Sequence, residues 1–384
     1  MDREKYYLEE LKLEGYDGGH RNQRSKALFA QDRAAVQRFF AQSSVPQTEC
    51  DGWAKYLLGD TPEPMVIAGC GSQSYTLCGG PDHNTIVQFR KNISRVDLPA
   101  RECARNTFPL QGLTARPYLV LSRGPLDNPL QILAMRRLPG VRAEDVYERG
   151  DWQAETPSGR LENTIVDLAG IYGRLWTSPV LFGIGEKSEW YRLENKNMVE
   201  SQELLPMFAE ELKEASDCFI TIIGENWKFN LANMGLVPGH ILIDPKTGRI
   251  TGLPNWVHAQ IVPFGLDFWA MEFFFGRFVN QKWEYYPCEK ACRRLFWQTL
   301  LGVMEAKSRR IVPYSARRTL FAVSKAGMVS CVSRHYRKLM FERKVLTEKD
   351  TISDLVVRLE SIQDMLIVFL RSADEYSLSV RNPG

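Results

Sequence analysis

Long apolar stretches are what this sequence has least of. Runs such as Trp269–Val279 and Met365–Leu370 are short or broken by charge, far below the ~20 residues that a membrane-crossing helix needs. No membrane partner is expected. The opening stretch MDREKYYLEELKLEG is charged and holds no apolar segment, so it does not read as a secretory leader, and a cytoplasmic location is expected. Long runs of one charge are missing too. With 49 Lys and Arg against 46 Asp and Glu, the net charge is +3, and no basic stripe forms, which argues against a nucleic-acid partner. None of the eight cysteines, at positions 50, 70, 78, 103, 218, 288, 292 and 331, belongs to a CxxC pair. Without a second Cys/His pair at zinc spacing, they read as small apolar side chains in a reducing compartment. Internal repeats and low-complexity segments are also absent.

What is present is ordinary globular composition. The chain has 384 residues, 44% of them apolar and 25% charged, enough for one large domain or two joined lobes. Residues 1–30 read as a loose polar extension, and Asp32–Ala41 as a helix. From Glu63 the texture turns to strands. PMVIAGC, NTIVQFR, Tyr118–Arg123 and Leu130–Arg136 are strand candidates, with a helix at Asp97–Asn106. Leu138-Pro139-Gly140 is a breaker and a hinge candidate. Beyond it, helical spacing dominates at Leu161–Thr177 and Glu200–Ile223, and near 266–279, 283–306, 313–344 and 350–373. A short hairpin around 240–253 interrupts that pattern. The predicted organisation is an α+β chain with an extension (1–30), a β-rich lobe (31–138) and a helical lobe (139–384).

One part of the second lobe has the rhythm of a catalytic loop. NMGLVPGHILID at 233–244 is a turn carrying Pro238-Gly239 that runs into an apolar strand, and LPNWVHAQ follows at 253–260. Together with other segments, these resemble the aminoglycoside phosphotransferase family, which has a two-lobed protein-kinase-like fold, and its fungal members above all. The most specific part is GLPNWVHAQIVPFG at 252–265, where Trp256, Ala259 and Pro263-Phe264-Gly265 fall in register with the family's metal segment. GSQSYT at 71–76, VQFR at 87–90 and WEYYPCEKACRRLFWQTL at 283–300 also match. The resemblance covers about residues 50 to 340. It implies ATP and magnesium as cofactors, a small-molecule ligand in a cleft between the lobes, and phosphoryl transfer as the chemistry.

Carried over position by position, the resemblance places the phosphate-covering turn on Gly71, Ser72, Gln73 and Ser74, where small residues let backbone N–H groups approach phosphate. The basic residue that pairs with the nucleotide phosphates falls on Arg90, with Lys91 beside it. The loop aspartate that accepts the proton of the attacking hydroxyl becomes Gly235. The asparagine that helps to hold magnesium becomes His240, and the metal-binding aspartate becomes Asn255. Phosphoryl transfer in this fold is positioning plus neutralisation of charge by magnesium. Magnesium takes hard oxygen ligands, usually with one or two carboxylates, whereas imidazole suits softer metals. The missing base alone is worth roughly 10²–10⁴ in rate. The pair Asn255 and His240 therefore reads as a degenerate metal site, and ordinary kinase activity is not expected.

Candidate replacements remain open. His240 and His258 could act as an acid–base pair near neutral pH, or could simply fill the space left by a metal. Asp267, with Asp244 and Glu272, could supply a substitute carboxylate, or could start a turn, cap a helix or brace a loop. The aromatic residues from Phe264 to Phe275 fit a helical core face but would also suit a less charged ligand. Three readings follow. The cleft is repurposed for a small molecule, with non-kinase chemistry in fungal secondary metabolism; or the chain is a pseudokinase scaffold with a protein partner; or it is a phosphotransferase with a non-standard metal site.

Overall fold

The structure is a computed structural model that describes residues 36–59, 65–66, 74–80, 83–92, 104, 106, 112–147, 157–177, 184–224, 227–256, 259–279, 282–309 and 311–345. The expected turn at Gly71–Gln73, His258, most of the helix at Asp97–Asn106, and 350–373 lie outside these residues.

The first lobe is built on alternation. In β3 (Thr85–Arg90), Val87 and Phe89 point to one face and Ile86, Gln88 and Arg90 to the other, as a two-residue period demands. Around it lie β1 (Met65–Val66), β2 (Ser74–Gly79), β4 (Pro117–Arg123) and β5 (Leu130–Arg136), giving one antiparallel sheet in the order β1-β2-β3-β5-β4. Val87, Phe89, Tyr75, Leu77, Ile132 and Ala134 form the outer face. That face is buried against α1 (Gln47–Leu58) and a helical segment over 36–41. Ile86, Leu133 and Met135 belong to the inner face and pack toward Ala115 and Leu138, on the side of the second lobe.

The chain crosses between lobes at Leu138-Pro139-Gly140 and enters β6 (Val141–Arg142), which pairs with β8 (Leu242–Ile243). Gly140 adopts φ +98°, and a Cβ there would lie 2.6 Å from the Ile243 carbonyl oxygen. Only glycine takes this backbone at that separation without strain. A short helix, α2 (Ala143–Tyr147), follows. Next come α3 (Gly159–Leu175), capped by the Ser158 hydroxyl on Leu161 N–H, then α4 (Ile184–Leu204) and α5 (Ala209–Gly224). Two antiparallel pairs carry the loop region: β7 (Phe229–Ala232) pairs with β10 (Gln260–Pro263), and β8 with β9 (Ile250–Gly252). The hairpin β11 (Gly276–Val279)/β12 (Lys282–Tyr285) leads to α6 (Glu289–Ser308) and the long α7 (Tyr314–Val345). No helix among the described residues is long and apolar enough to cross a membrane. The fold is a β-rich lobe joined to a mostly helical one.

Three sequence expectations need correction. The single helix expected over Glu200–Ile223 breaks between Leu204 and Ala209. Pro206 lacks an N–H and pushes Leu205 out of helical backbone, to φ −129° and ψ 59°. The helix expected near 266–279 is a 3₁₀ segment, Phe268–Phe274, ending in β11. The helix expected from 283 begins only at Glu289, because Lys282–Tyr285 pairs as a strand ahead of Pro287. The aromatic residues of this region are core. Phe268 packs on Tyr172 at 4.6 Å between ring centres, on Phe264 at 5.3 Å and on Phe296 at 5.7 Å. Each such pair adds about 0.5–1.5 kcal/mol beyond its buried area. A buried ionic knot holds the same region. Arg293 donates to both Glu272 oxygens at 2.6 and 2.9 Å and to Glu289 at 2.6 Å, and Tyr285 donates to Glu272 at 3.0 Å.

Candidate functional site

The expected site positions fall on two surfaces, the inner face of the sheet and the loops of the second lobe. Strand register decides what the inner face carries. Ser74 and Gln131 oppose Arg90, and Thr76 and Leu133 oppose Gln88. Directly paired residues share a face, so Ser74, Thr76, Gln88, Arg90 and Gln131 form a polar roof. Arg90 Nη1 donates to Gln88 Oε1 at 3.0 Å, and Gln88 Nε2 donates to Thr76 Oγ1 at 3.0 Å. Lys91, one residue on, is turned to the outer face. Its ammonium donates to Gln42 Oε1 at 2.9 Å and stands 5.2 Å from the Phe39 ring centre. Burial there lowers its pKa. The expected basic pair is therefore split. Arg90 lies on the sheet's inner face, and the two-residue period sends Lys91 to the outer one.

The floor is the loop 233–240 with the segment 253–256. Asn233 is 4% exposed, and its side-chain amide donates to the Asn255 backbone carbonyl. That bond ties the loop directly to the segment where the resemblance implies a metal ligand. His240 Nδ1 lies 2.9 Å from the Gly235 carbonyl oxygen. A carbonyl can only accept, so Nδ1 carries the proton and Nε2 is left as an acceptor in the neutral ring. A Cβ on Gly235 would lie 3.6 Å from His240 Nδ1 and 3.8 Å from Asn233 Oδ1. The imidazole and the Asn233 amide thus stand in ordinary contact with that position. Beneath, Trp256 is 2% exposed and its indole N–H donates to Leu253 O at 2.7 Å, which anchors the segment. The Leu253 N–H donates to Leu113 O at 2.7 Å and ties the segment to the stretch ahead of β4.

The other carboxylates sit elsewhere. Asp244 accepts from the N–H groups of Lys246 and Thr247 at 2.8 and 2.9 Å, forming an Asx turn, and these bonds lower its pKa. Asp267 is 5% exposed and precedes the 3₁₀ segment, beside the Tyr172 hydroxyl in the aromatic core. Burial pushes its carboxyl up to about 7, against the pull of its own backbone N–H and of the neighbouring Tyr172 hydroxyl. Glu272 is committed to Arg293. None of the three is left over as a cleft base.

Sequence reasoning missed Glu144. This exposed carboxylate, in the first turn of α2, lies against the loop: a Cβ on Gly239 would be 2.6 Å from Glu144 Oε2. Its charge also reaches Tyr286, whose phenol burial pushes up to about 12. The only signal for it in the sequence was its place just past the hinge.

These groups do not fit magnesium. Gly235 offers no side-chain ligand atom. The His240 Nδ1 atom is taken by Gly235, and its remaining donor is a nitrogen. Asn255 offers a neutral amide oxygen. Among the described residues, no three His, Cys, Asp or Glu side chains gather as a metal site. The donor set lacks the anionic oxygens that hold a hard divalent ion.

The fold itself has known counterparts. No family model matches the sequence, and no curated protein does. A variant of aminoglycoside 2'-phosphotransferase-IIIa in complex with GDP is similar at TM-score 0.53 and 13% identity, over 82% of this chain and 96% of that one. A variant of aminoglycoside phosphotransferase APH(4)-Ia with AMP-PNP and hygromycin B is similar at TM-score 0.52 and 13% identity, over 83% and 98%. Aminoglycoside phosphotransferase APH(4)-Ia itself is similar at TM-score 0.51 and 12% identity, over 83% and 98%. At these identities the likeness shows the fold: the chain has the two-lobed, protein-kinase-like architecture of these structures.

Proposed function

We propose that this chain is a phosphotransferase-fold protein whose cleft binds a small molecule without a divalent metal and does not transfer phosphate by the metal-dependent route. The observation that carries this reading is how the floor is held together. Asn233 bonds directly to the Asn255 carbonyl, and His240 bonds to Gly235. One neutral hydrogen bond thereby joins the loop to the 253–256 segment and another braces the loop within itself, at positions where the resemblance implies charges organised around an ion. Removing carboxylates while keeping the turn and strands preserves a pocket and discards the neutralisation that a transferring phosphoryl group requires. The polar roof, with Arg90 among amides and hydroxyls, suits a ligand of modest charge.

We place this activity in small-molecule metabolism of the fungal secondary type that the resemblance implies, and in the cytoplasm. The six cysteines among the described residues are all free thiols, which supports a reducing compartment.

The test is a thermal-shift titration with ATP, ADP and GTP, each with and without magnesium or manganese. A ligand that binds only the native state adds about 2.7 kcal/mol at 100 times its Kd. No metal-dependent rise in melting temperature is expected. A rise that requires magnesium or manganese overturns the proposal and restores a metal-dependent phosphotransferase.

A further inference from the structure

We propose that the corner between α6 and α7 is a docking surface for an anionic lipid membrane, with Ile311 at its tip. This goes beyond the reading above and does not depend on it. The turn that makes the corner is held from inside. Val312 is 5% exposed, and its N–H donates to Glu305 Oε1 at 3.1 Å. Arg317 donates from Nη2 to the same carboxylate oxygen at 2.7 Å and from Nε to the Val312 carbonyl at 3.1 Å. A buried side chain and these hydrogen bonds fix residue 312. Its neighbour Ile311 is turned outward and is 79% exposed. Tyr314, in the first turn of α7, is 54% exposed. Two large apolar side chains, three residues apart, are thereby held in water by a built support.

The charges around this tip are of one sign. Residues 306–320 include five Lys and Arg and no Asp or Glu. They gather at a corner and form no stripe. Glu305, just ahead of them, is taken by Arg317. Lys307, Arg309 and Arg318 are exposed, and none of the three makes a hydrogen bond or ion pair among the described residues. Lys307 lies in the last turn of α6, and Arg309 caps that helix. Arg318 follows Tyr314 by four residues on α7, so the two share a helix face. The first turn of α7 holds no acidic residue, and its free N–H groups add to the positive potential. Beside this end of α6 packs α3, which meets it at Gly173 and Val303 and has Arg174 in its last turn.

The occupant follows from exposure and charge together. A side chain as exposed as Ile311 lines no pocket that a partner protein's anchor residue could fill. A bilayer surface needs no pocket. Its interface takes up an apolar tip, seats a tyrosine at headgroup level and offers lipid phosphates and carboxylates to Lys and Arg. Such a contact requires no crossing helix.

The test is cosedimentation of the full chain with vesicles of phosphatidylcholine, alone or with a third of phosphatidylserine. The parent is expected to bind the anionic vesicles, to bind them less as salt rises, and to leave the neutral ones alone. A basic side chain at such a surface is worth about fivefold in partitioning, so Lys307→Gln with Arg318→Gln is expected to bind roughly 25-fold less well. Ile311→Ser is expected to bind several-fold less well. These side chains are exposed, and melting within a few degrees of the parent shows that the variants fold. Arg309→Gly supplies a charge variant compatible with the backbone, since φ at this position is +53°, which glycine takes without strain. It is expected to bind about fivefold less well. A parent that binds anionic vesicles no better than neutral ones overturns the proposal. Undiminished binding by the charge variants or by Ile311→Ser overturns it too. A parent that binds heparin but not vesicles marks an anionic polymer as the occupant, and that result overturns it as well.

Discussion

Replacing Asp267 with asparagine is expected to make the protein more stable, and increasingly so as pH rises. Asp267 is 5% exposed, and its carboxyl titrates near 7 rather than its ordinary 3.8 because burial disfavours the charged form. Between those two values the folded chain binds a proton that the unfolded chain has released. Stability therefore falls as pH climbs from about 4 to about 7, and the loss is complete above 7. At about 1.4 kcal/mol for each pH unit, the whole penalty is about 4 kcal/mol, and the part falling between pH 5.5 and 8 is about 2 kcal/mol. Asparagine has nearly the same shape and no proton to lose, so its stability carries no such slope from this site. For a chain of this length, 1 kcal/mol moves the melting temperature by about 1–2 °C. Melts of Asp267→Asn and the parent, from pH 5.5 to 8, should thus diverge by about 2–4 °C toward the alkaline end. Parallel curves over that range would refute the argument, since they would mean that Asp267 is already ionised and solvated in the folded chain.

Truncating Glu272 to alanine leaves Arg293 buried with Glu289 as its one remaining carboxylate partner among the described residues. The expected cost is about 3–5 kcal/mol, read as a lower denaturation midpoint at unchanged m-value. Gly140→Ala sets a Cβ 2.6 Å from the Ile243 carbonyl at φ +98°. It should cost at least about 1–2 kcal/mol from the backbone conformation alone, and chemical denaturation against the parent checks it. Gly235→Asp by itself should gain no metal binding, because His240 and Asn255 still supply no anionic oxygen. The triple variant Gly235→Asp, His240→Asn, Asn255→Asp should show a manganese-dependent nucleotide shift in the same melting assay.

The strands of the first lobe could be read from sequence because each carries its own alternation. Thr85–Arg90 and Leu130–Arg136 need no knowledge of their neighbours to show a two-residue period. The break after β5 was legible from Leu-Pro-Gly for the same local reason. The region from Phe268 to Tyr285 was not. Its aromatic residues are so dense that helical spacing and alternation both fit, and the choice is made by Trp283 and Glu284 crowding Gly276 from the opposite strand. At the cleft, the positions of Gly235, His240 and Asn255 were visible only through the resemblance. What each does there was not, since it depends on a tautomer and on an amide bond to a backbone carbonyl. The division of Arg90 from Lys91 follows from sheet register. Glu144 was invisible because its partner Gly239 comes from a remote part of the chain.

The backbone bond from Leu253 to Leu113 has a mechanical consequence. It ties the stretch ahead of β4 to the second lobe right beside the covalent crossover, since a Cβ on the neighbouring Gly252 would lie 3.0 Å from Leu138 Cβ, so the two links act as one joint with a single axis. Motion that spares both is a rotation about that axis, with the lobes parting like the jaws of a clothes-peg and little sliding between them. A visitor to the cleft then enters and leaves from the side opposite the joint, at a rate set by how far the jaws swing.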